Sequence, residues 1–512
     1  MRHLKTALAL VLMLAAIDPA KVSAGIAEKT TPGPTARDIA LIDAVTWGVT
    51  ASTVKEFETI GAERWLESQL RPPAVGHLPD AAQTQINALP FVQKSALELA
   101  AEFDAQGHAA NQIKDPDQKS AAQHAFQQAM NDIAHQAATR TILRALYAPD
   151  QLRERMTWFW FNHFNVHQYK GNVRVLVGDY EDRVIRAHAL GRFRDLLEAT
   201  LRHPAMLRYL DNADNAAGHI NENYAREIME LHTVGVGSGY TQKDVEELAR
   251  ILTGVGVDLK PESPKLKPEL QGKFIRDGLF EFNPARHDFG DKVFLGHKIK
   301  GRGFVEVEEV LDILSREPAT AHHISREIAV YFMSDDPPAT LIDKMAQTFT
   351  NTDGDIASVL ETLFHAPEFT ASLGKRFKDP ARYVLSAVRF AYDDKVILNS
   401  APVQNWLNRL AEGLYNHQTP DGYPMTSSAW NGSGQMITRF EIARQIGSNS
   451  AGLFKPAEQD GVDRPAFPLL ENALYFGGLN RTLGAQTRAA LDEAISPQDW
   501  NTLFLSSPEF MN

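Results

Sequence analysis

The segment Met156-Thr-Trp-Phe-Trp-Phe-Asn-His-Phe-Asn-Val-His167 constrains the fold more than any other stretch of the chain. Trp158, Phe159, Trp160, Phe161 and Phe164 spread over every side of a helix. A helix that is apolar all round has no face to offer water, so it must run through the centre of a core. Asp150 stands where an N-cap carboxylate belongs, and the helix is expected to start there and to continue through His167.

A central helix needs others to cover it, and helical periodicity is present on both sides. It runs through Ile39, Ile42 and Val45, then Thr53–Ile60 and Ala62–Leu70, the last stopped by Pro72-Pro73. Ala81–His108 and Lys119–Ala148 are rich in Ala and Gln and read as two long helices parted by the polar stretch Lys114–Asp117. Further helices are expected at Asp179–Ala189, Phe193–Leu201, Pro204–Asp211, Val305–Leu314, Ala319–Phe332, Thr340–Phe349 and Ile356–Phe364. Between Leu259 and Gly303 the character changes: Lys, Pro and Gly become dense, and Phe274–Ile275, Leu279–Phe282 and Val293–Ile299 read as short strands. The expected fold class is therefore mainly α, a large multi-helix body with a small inserted β-hairpin or sheet around residues 259–303. No Ser-, Gly- or Pro-rich linker divides it, so residues 36–512 are expected to be one large helical domain.

Residues 1–24 have the form of a secretory signal peptide. Arg2 and Lys5 precede the apolar run Ala7–Ile17, and Val22-Ser23-Ala24 supplies small residues for cleavage near Ala24. The run is shorter than the ~20 residues that cross a bilayer, so no stable membrane anchor is expected. Residues 25–35, with Thr31-Pro-Gly-Pro-Thr35, are expected to be a flexible lead-in. The expected location is periplasmic or secreted. Cleavage removes three positive charges and one negative, taking the net charge from −12 to −14. So acidic a product does not seek nucleic acid. With no cysteine, disulfides, thiolate metal sites and a cysteine nucleophile are excluded.

Ionisable side chains concentrate in Asn221–Gly254, which reads as a helical hairpin. A first helix is expected over Asn221–Val234, then a turn broken by Gly235, Gly237 and Gly239. Thr241 and Asp244 form a capping box for a second helix that runs to Thr253 and stops at Gly254. At about 100° per residue, Glu222, Asn223, Arg226, Glu227 and Glu230 share one arc and His232 lies on the other. Arg226, Glu227 and Glu230 are candidate catalytic groups; Glu227 and Glu230 are also candidate ligands of an oxygen-preferring divalent metal. The competing reading is a solvated ion-pair ladder with one buried histidine bonded to a carbonyl. His163 and His167, at helical i, i+4 spacing, are candidate metal ligands, although Phe164 replaces the Glu that the zincin pattern requires. The competing reading there is a pair of buried structural histidines. His287 and Asp288 are the remaining catalytic candidates, against a simple turn closed by the Asp side chain. His322 and His323, beside Arg326 and Glu327, are expected to pack and pair. No G-x-S-x-G elbow, phosphate-binding Walker loop or H-E-x-x-H motif is present.

Four motifs occur in order: Trp160-Phe-Asn-His-Phe-Asn-Val166; Glu222–His232 with Tyr240–Val245; His287-Asp288 followed by Lys292 and Gly296; and Pro420-Asp-Gly-Tyr-Pro424 with Trp430. In this combination the chain resembles the secreted bacterial family known as domain of unknown function 1800, from about Ala36 to the C-terminus. His167 departs from that pattern. The resemblance implies no reaction, but it implies a partner: a co-encoded exported protein resembling the alkaline phosphatase superfamily.

Two functions follow as expectations. The favoured one is an exported binding or assembly factor for that partner, its polar residues forming a buried network. The alternative is a secreted hydrolytic or metal-assisted enzyme, with its site between the 221–254 hairpin, the 158–167 helix and the His287 loop.

Overall fold

The computed structural model describes residues 34–73, 76–260, 262–455 and 466–512. The signal peptide and nearly all of the lead-in fall outside these residues. At the centre lies the helix Gln151–His163, with Leu152, Met156, Phe159 and Trp160 buried to within 1% of full occlusion. The Trp160 ring packs against Phe159 at 4.8 Å, Phe193 at 5.8 Å and Phe164 at 6.0 Å, and its indole N–H donates to the Ala189 carbonyl at 3.0 Å. Aromatic residues on every face thus found a protein wall on every face.

This helix ends at His163 rather than His167. Beyond it, Asn165 donates to the carbonyls of His417 and Thr419, at 3.1 and 2.8 Å, and the Gln168 amide donates to Tyr415. Bonds to a distant loop replace the next helical turn. At the other end Asp150 makes no side-chain cap; it pairs with Arg153 at 2.9 Å and Arg186 at 3.6 Å.

The long helix Pro116–Tyr147 is capped by Asp115, whose carboxylate accepts from the Gln118 amide, and is buried chiefly from Met130 onward. The expected single helix over Ala81–His108 is instead three pieces: Asp80–Asn87, a 3-10 turn at Pro90–Gln93, and Ala96–Gln112. Pro90 lacks the N–H that a continuous helix needs, and a capping box of Ser95 with Glu98 starts a new helix. Asp179–Ala189 is not a plain α-helix either; Tyr180–Arg186 is wound as a π-helix.

Five short strands form two antiparallel sheets: β1 (Val255–Val257), β2 (Ile275–Asp277), β3 (Phe280–Phe282), β4 (Lys292–Phe294) and β5 (His297–Ile299). The order in the first sheet is β1-β3-β2, with Val255 opposite Phe282; β4 and β5 form a hairpin. The molecule is thus mainly α with a small β insertion, which starts at Val255, slightly ahead of its expected edge.

The 221–254 hairpin has helices Asn223–Glu230 and Gln242–Ile251, and the Thr241–Asp244 capping box is present. Its first helix stops four residues before the expected Val234. Its exit is Gly254, at φ +81°, where an added Cβ would lie 2.6 Å from the Asn283 carbonyl oxygen. Gly254→Ala is expected to destabilise the protein by about 2–3 kcal/mol, measured by urea denaturation, since it combines a left-handed backbone with a backbone clash.

Candidate functional site

Each helix of the hairpin ends on a histidine–carboxylate pair. Below the first helix, His163 from the end of the central helix places Nε2 3.2 Å from the His232 carbonyl and Nδ1 2.6 Å from Glu327 Oε2. His323, one turn before Glu327 on the helix Pro318–Phe332, places Nε2 3.2 Å from the Leu231 carbonyl and 3.7 Å from Glu327 Oε1. Two imidazoles thus take the carbonyls of Leu231 and His232 just past the helix end, while the helix's own Ile228 and Met229 carbonyls accept from Thr233 Oγ1 and the Gly235 amide. Burial by itself would raise the Glu327 pKa, but the neighbouring His163 and His323 outweigh it and hold the carboxyl below its usual range.

His232 differs from the expected carbonyl-bonded histidine. Its ring is 1% exposed, lies 4.9 Å from the Phe164 ring and 5.8 Å from His163, and neither nitrogen has a hydrogen-bond partner. Burial, reinforced by His163 and His323, pushes its pKa well below the ordinary value, so it packs as a neutral ring. His323 is shifted in the same direction, chiefly by burial.

Below the second helix, His287 places Nδ1 2.8 Å from the Thr253 carbonyl and Nε2 3.1 Å from Glu306 Oε1. Glu306 Oε2 meets Lys292 Nζ at 2.5 Å, and all three side chains are fully buried. Asp288 turns away from His287: it binds Arg250 at 2.8 Å and closes its own turn by accepting from the Gly290 amide at 2.8 Å. Glu327 and Glu306 supply the carboxylates of both pairs, and neither stood among the candidates. A local signal existed for Glu306, which closes a capping box on Gly303. For Glu327 the only sign was its spacing from His323.

The remaining candidates face outward. Arg226 bridges Glu222 at 3.1 Å and Glu230 at 3.5 Å, and also donates to Gln242, which ties the two helices of the hairpin together. All three ladder side chains are between a quarter and two-fifths exposed, so each ion pair contributes only ~0.2–0.5 kcal/mol. Glu227 is half-buried; burial, then Glu230 and Asp421, raise its pKa against the pull of Arg226. Asp421 belongs to the loop Thr419–Pro424, which the central helix holds: Asn162 donates to the Tyr423 carbonyl at 2.9 Å and accepts from the Tyr423 amide at 2.6 Å. Gly422 permits that approach, because at φ +70° an added Cβ would sit 2.2 Å from the Asn162 carbonyl oxygen.

His163 and His167 share no helical face, since the helix has ended between them; His167 packs on Tyr169 at 5.5 Å. Among the described residues, no three His, Asp or Glu side chains stand in metal-holding geometry. The motif segments nevertheless converge on the end of the central helix, where Asn162 holds the Pro420–Pro424 loop and His163 meets the His232 carbonyl, while His287-Asp288 meets the same hairpin at its other helix end. A family pattern described as "Protein of unknown function (DUF1800)" matches residues 40–512. The chain belongs to the DUF1800 family. No curated protein and no solved structure matches it. In this DUF1800 chain, then, the histidines of three motifs cap or pack the hairpin from inside, while Glu222, Arg226 and Glu230 face out with the half-buried Glu227 beside them.

Proposed function

We propose that this DUF1800 protein is an exported binding or assembly factor whose 221–254 hairpin docks a co-encoded exported partner resembling the alkaline phosphatase superfamily. One observation carries the reading: both nitrogens of His163 and of His287 are engaged within the fold, and Asp288 is committed to Arg250. A histidine held at both ends has no free nitrogen with which to take a proton from a substrate. What such a network does well is hold a surface rigid. The surface held here carries Glu222, Arg226, Glu227 and Glu230, beside Val236, which is 76% exposed. No helix among the described residues is long and apolar enough to cross a membrane, in keeping with a factor that meets its partner after export.

Co-expression of the two exported proteins is expected to give a complex that survives gel filtration. Charge reversal with Glu227→Arg and Glu230→Arg should weaken it at least tenfold, about 1.4 kcal/mol, while the melting temperature stays within a few degrees. No complex at micromolar concentrations, or indifference to the reversal, would overturn the proposal.

The second reading is a hydrolytic or metal-assisted enzyme. It is favoured by Glu227, a half-buried carboxyl with a raised pKa beside Glu230 and Asp421. Stoichiometric divalent metal in the same preparation, lost in Glu230→Ala, would decide for that reading.

A further inference from the structure

An apolar cleft of about 170 Å³ lies outside the hairpin, where the helices Ala36–Val45 and Pro380–Tyr392 meet the C-terminal helices Pro497–Leu505 and Pro508–Met511. Its apolar wall includes Ile39, Val49, Phe390, Leu483, Phe504 and Phe510. A cavity of roughly 150 Å³ accepts a benzene molecule, so this cleft has room for an aromatic ring with a one-carbon substituent.

Lys378 and Asp43 bring charge to that wall. The Lys378 backbone is held on both sides: its amide donates to the Met511 carbonyl and its carbonyl accepts from Arg439, each at 2.7 Å. Its side chain borders the cleft at 3% exposure, donates from Nζ to the Phe510 carbonyl at 2.8 Å, and lies 3.3 Å from Asp43 Oδ1. Asp43 has a nearer partner, Arg382, at 2.7 Å. One carboxylate thus serves two cations. Glu509, which also lines the cleft, is committed to the Gly484 amide and the Thr487 hydroxyl, both at 2.7 Å.

A lysine this deeply buried is normally fully paired, and Lys378 shares its counter-ion at the longer of two distances. Its neutral form is favoured as a result. Burial is the main cause, Arg382 and Arg439 add to it, and against the pull of Asp43 the Lys378 pKa comes down to about 8. At pH 7.5 such an amine is neutral in roughly a quarter of molecules, against about one in a thousand for an ordinary lysine. A neutral amine in an apolar setting is the form that attacks carbonyl carbon.

We propose that this cleft takes a small apolar aldehyde, of the size of benzaldehyde, and holds it as a reversible imine on Lys378. The Lys378 nitrogen bonds to the carbonyl carbon. Asp43, 3.3 Å from that nitrogen and a fifth exposed, relays its two protons in turn to the former carbonyl oxygen. The C–O bond then breaks and the oxygen leaves as water, so C=N replaces C=O with no oxidant, reductant or cofactor consumed.

The test treats the full mature protein at pH 7.5 with benzaldehyde and sodium cyanoborohydride, which reduces the imine to a stable benzylamine, and maps the modified lysines by peptide mass spectrometry. Lys378 is expected to be benzylated at least tenfold faster than exposed lysines such as Lys55. Ala40→Leu places a larger helix-forming side chain in the cleft wall, and should slow Lys378 at least fivefold while leaving Lys55 unchanged. The proposal is overturned if Lys378 in the parent protein is modified no faster than Lys55. It is overturned equally if a folded Ala40→Leu variant labels Lys378 at the parent rate.

Discussion

Glu306→Ala is expected to destabilise the protein by about 3–5 kcal/mol, the largest effect of any single polar substitution near the hairpin. Glu306 is fully buried and accepts from four donors: His287 Nε2 at 3.1 Å, Lys292 Nζ at 2.5 Å, the Gly303 amide at 2.7 Å and the Arg302 amide at 2.5 Å. Those contacts hold its carboxyl below the usual range although burial alone would raise it. Removing it strands the Lys292 ammonium at 2% exposure, and a buried charge without its counter-ion costs several kcal/mol. Most of the loss is therefore the penalty on Lys292. The double variant Glu306→Leu with Lys292→Met should recover at least half of it, as read from urea midpoints. Equal losses in the single and double variants would show that the pair itself, not the stranded lysine, carries the energy.

Acid is expected to loosen the same region from the other helix end. His232 and His323 have folded pKa values below the ordinary one: His232 from burial first and then from His163 and His323, and His323 from burial first, against the pull of Glu327 and with His163 adding to the shift. Above pH ~6.5 both rings are neutral folded or unfolded, so their contribution is fully present. As pH falls below that value the unfolded chain takes up protons that the folded one refuses. Stability then falls by about 1.4 kcal/mol per pH unit for each histidine, until the folded pKa is reached. Glu327, whose folded pKa is depressed, adds a loss of the same sign in a lower window, beginning below its ordinary value near 4.5. Urea midpoints at pH 7.5 and 5.5 should differ accordingly. His232→Phe, which keeps a ring against Phe164 and has no proton to gain, should remove about half of that dependence. An unchanged slope in the variant would place the titrating groups elsewhere.

Several features of this molecule were legible residue by residue. The aromatic run Trp158–Phe164 located the core axis, because no face of that helix could meet water. Thr241 with Asp244 located the start of the hairpin's second helix, because a capping box closes within three residues. Ser95 with Glu98 carries the same signal, and Pro90 stands five residues before it; together they divide Ala81–His108 into separate helices. The switch at Leu259–Gly303 to dense Gly, Pro and Lys marked the β insertion because strands and turns draw on different residues from helices.

The ends of the two motif helices were another matter. Asn162-His-Phe-Asn-Val-His167 and Leu231-His-Thr-Val234 are as compatible with helix as with what replaces it. The choice is made by Tyr415–Tyr423 in one case and by His163 and His323 in the other. His163 and Glu327 are separated by 164 residues, and nothing near either one specifies the other. Helix starts, core-facing stripes and the fold class follow from interactions between residues three or four apart, which a linear sequence displays. Which histidine receives which carboxylate, and whether a ring nitrogen is left free for chemistry, depends on helices brought together by packing, and only the tertiary structure decides it.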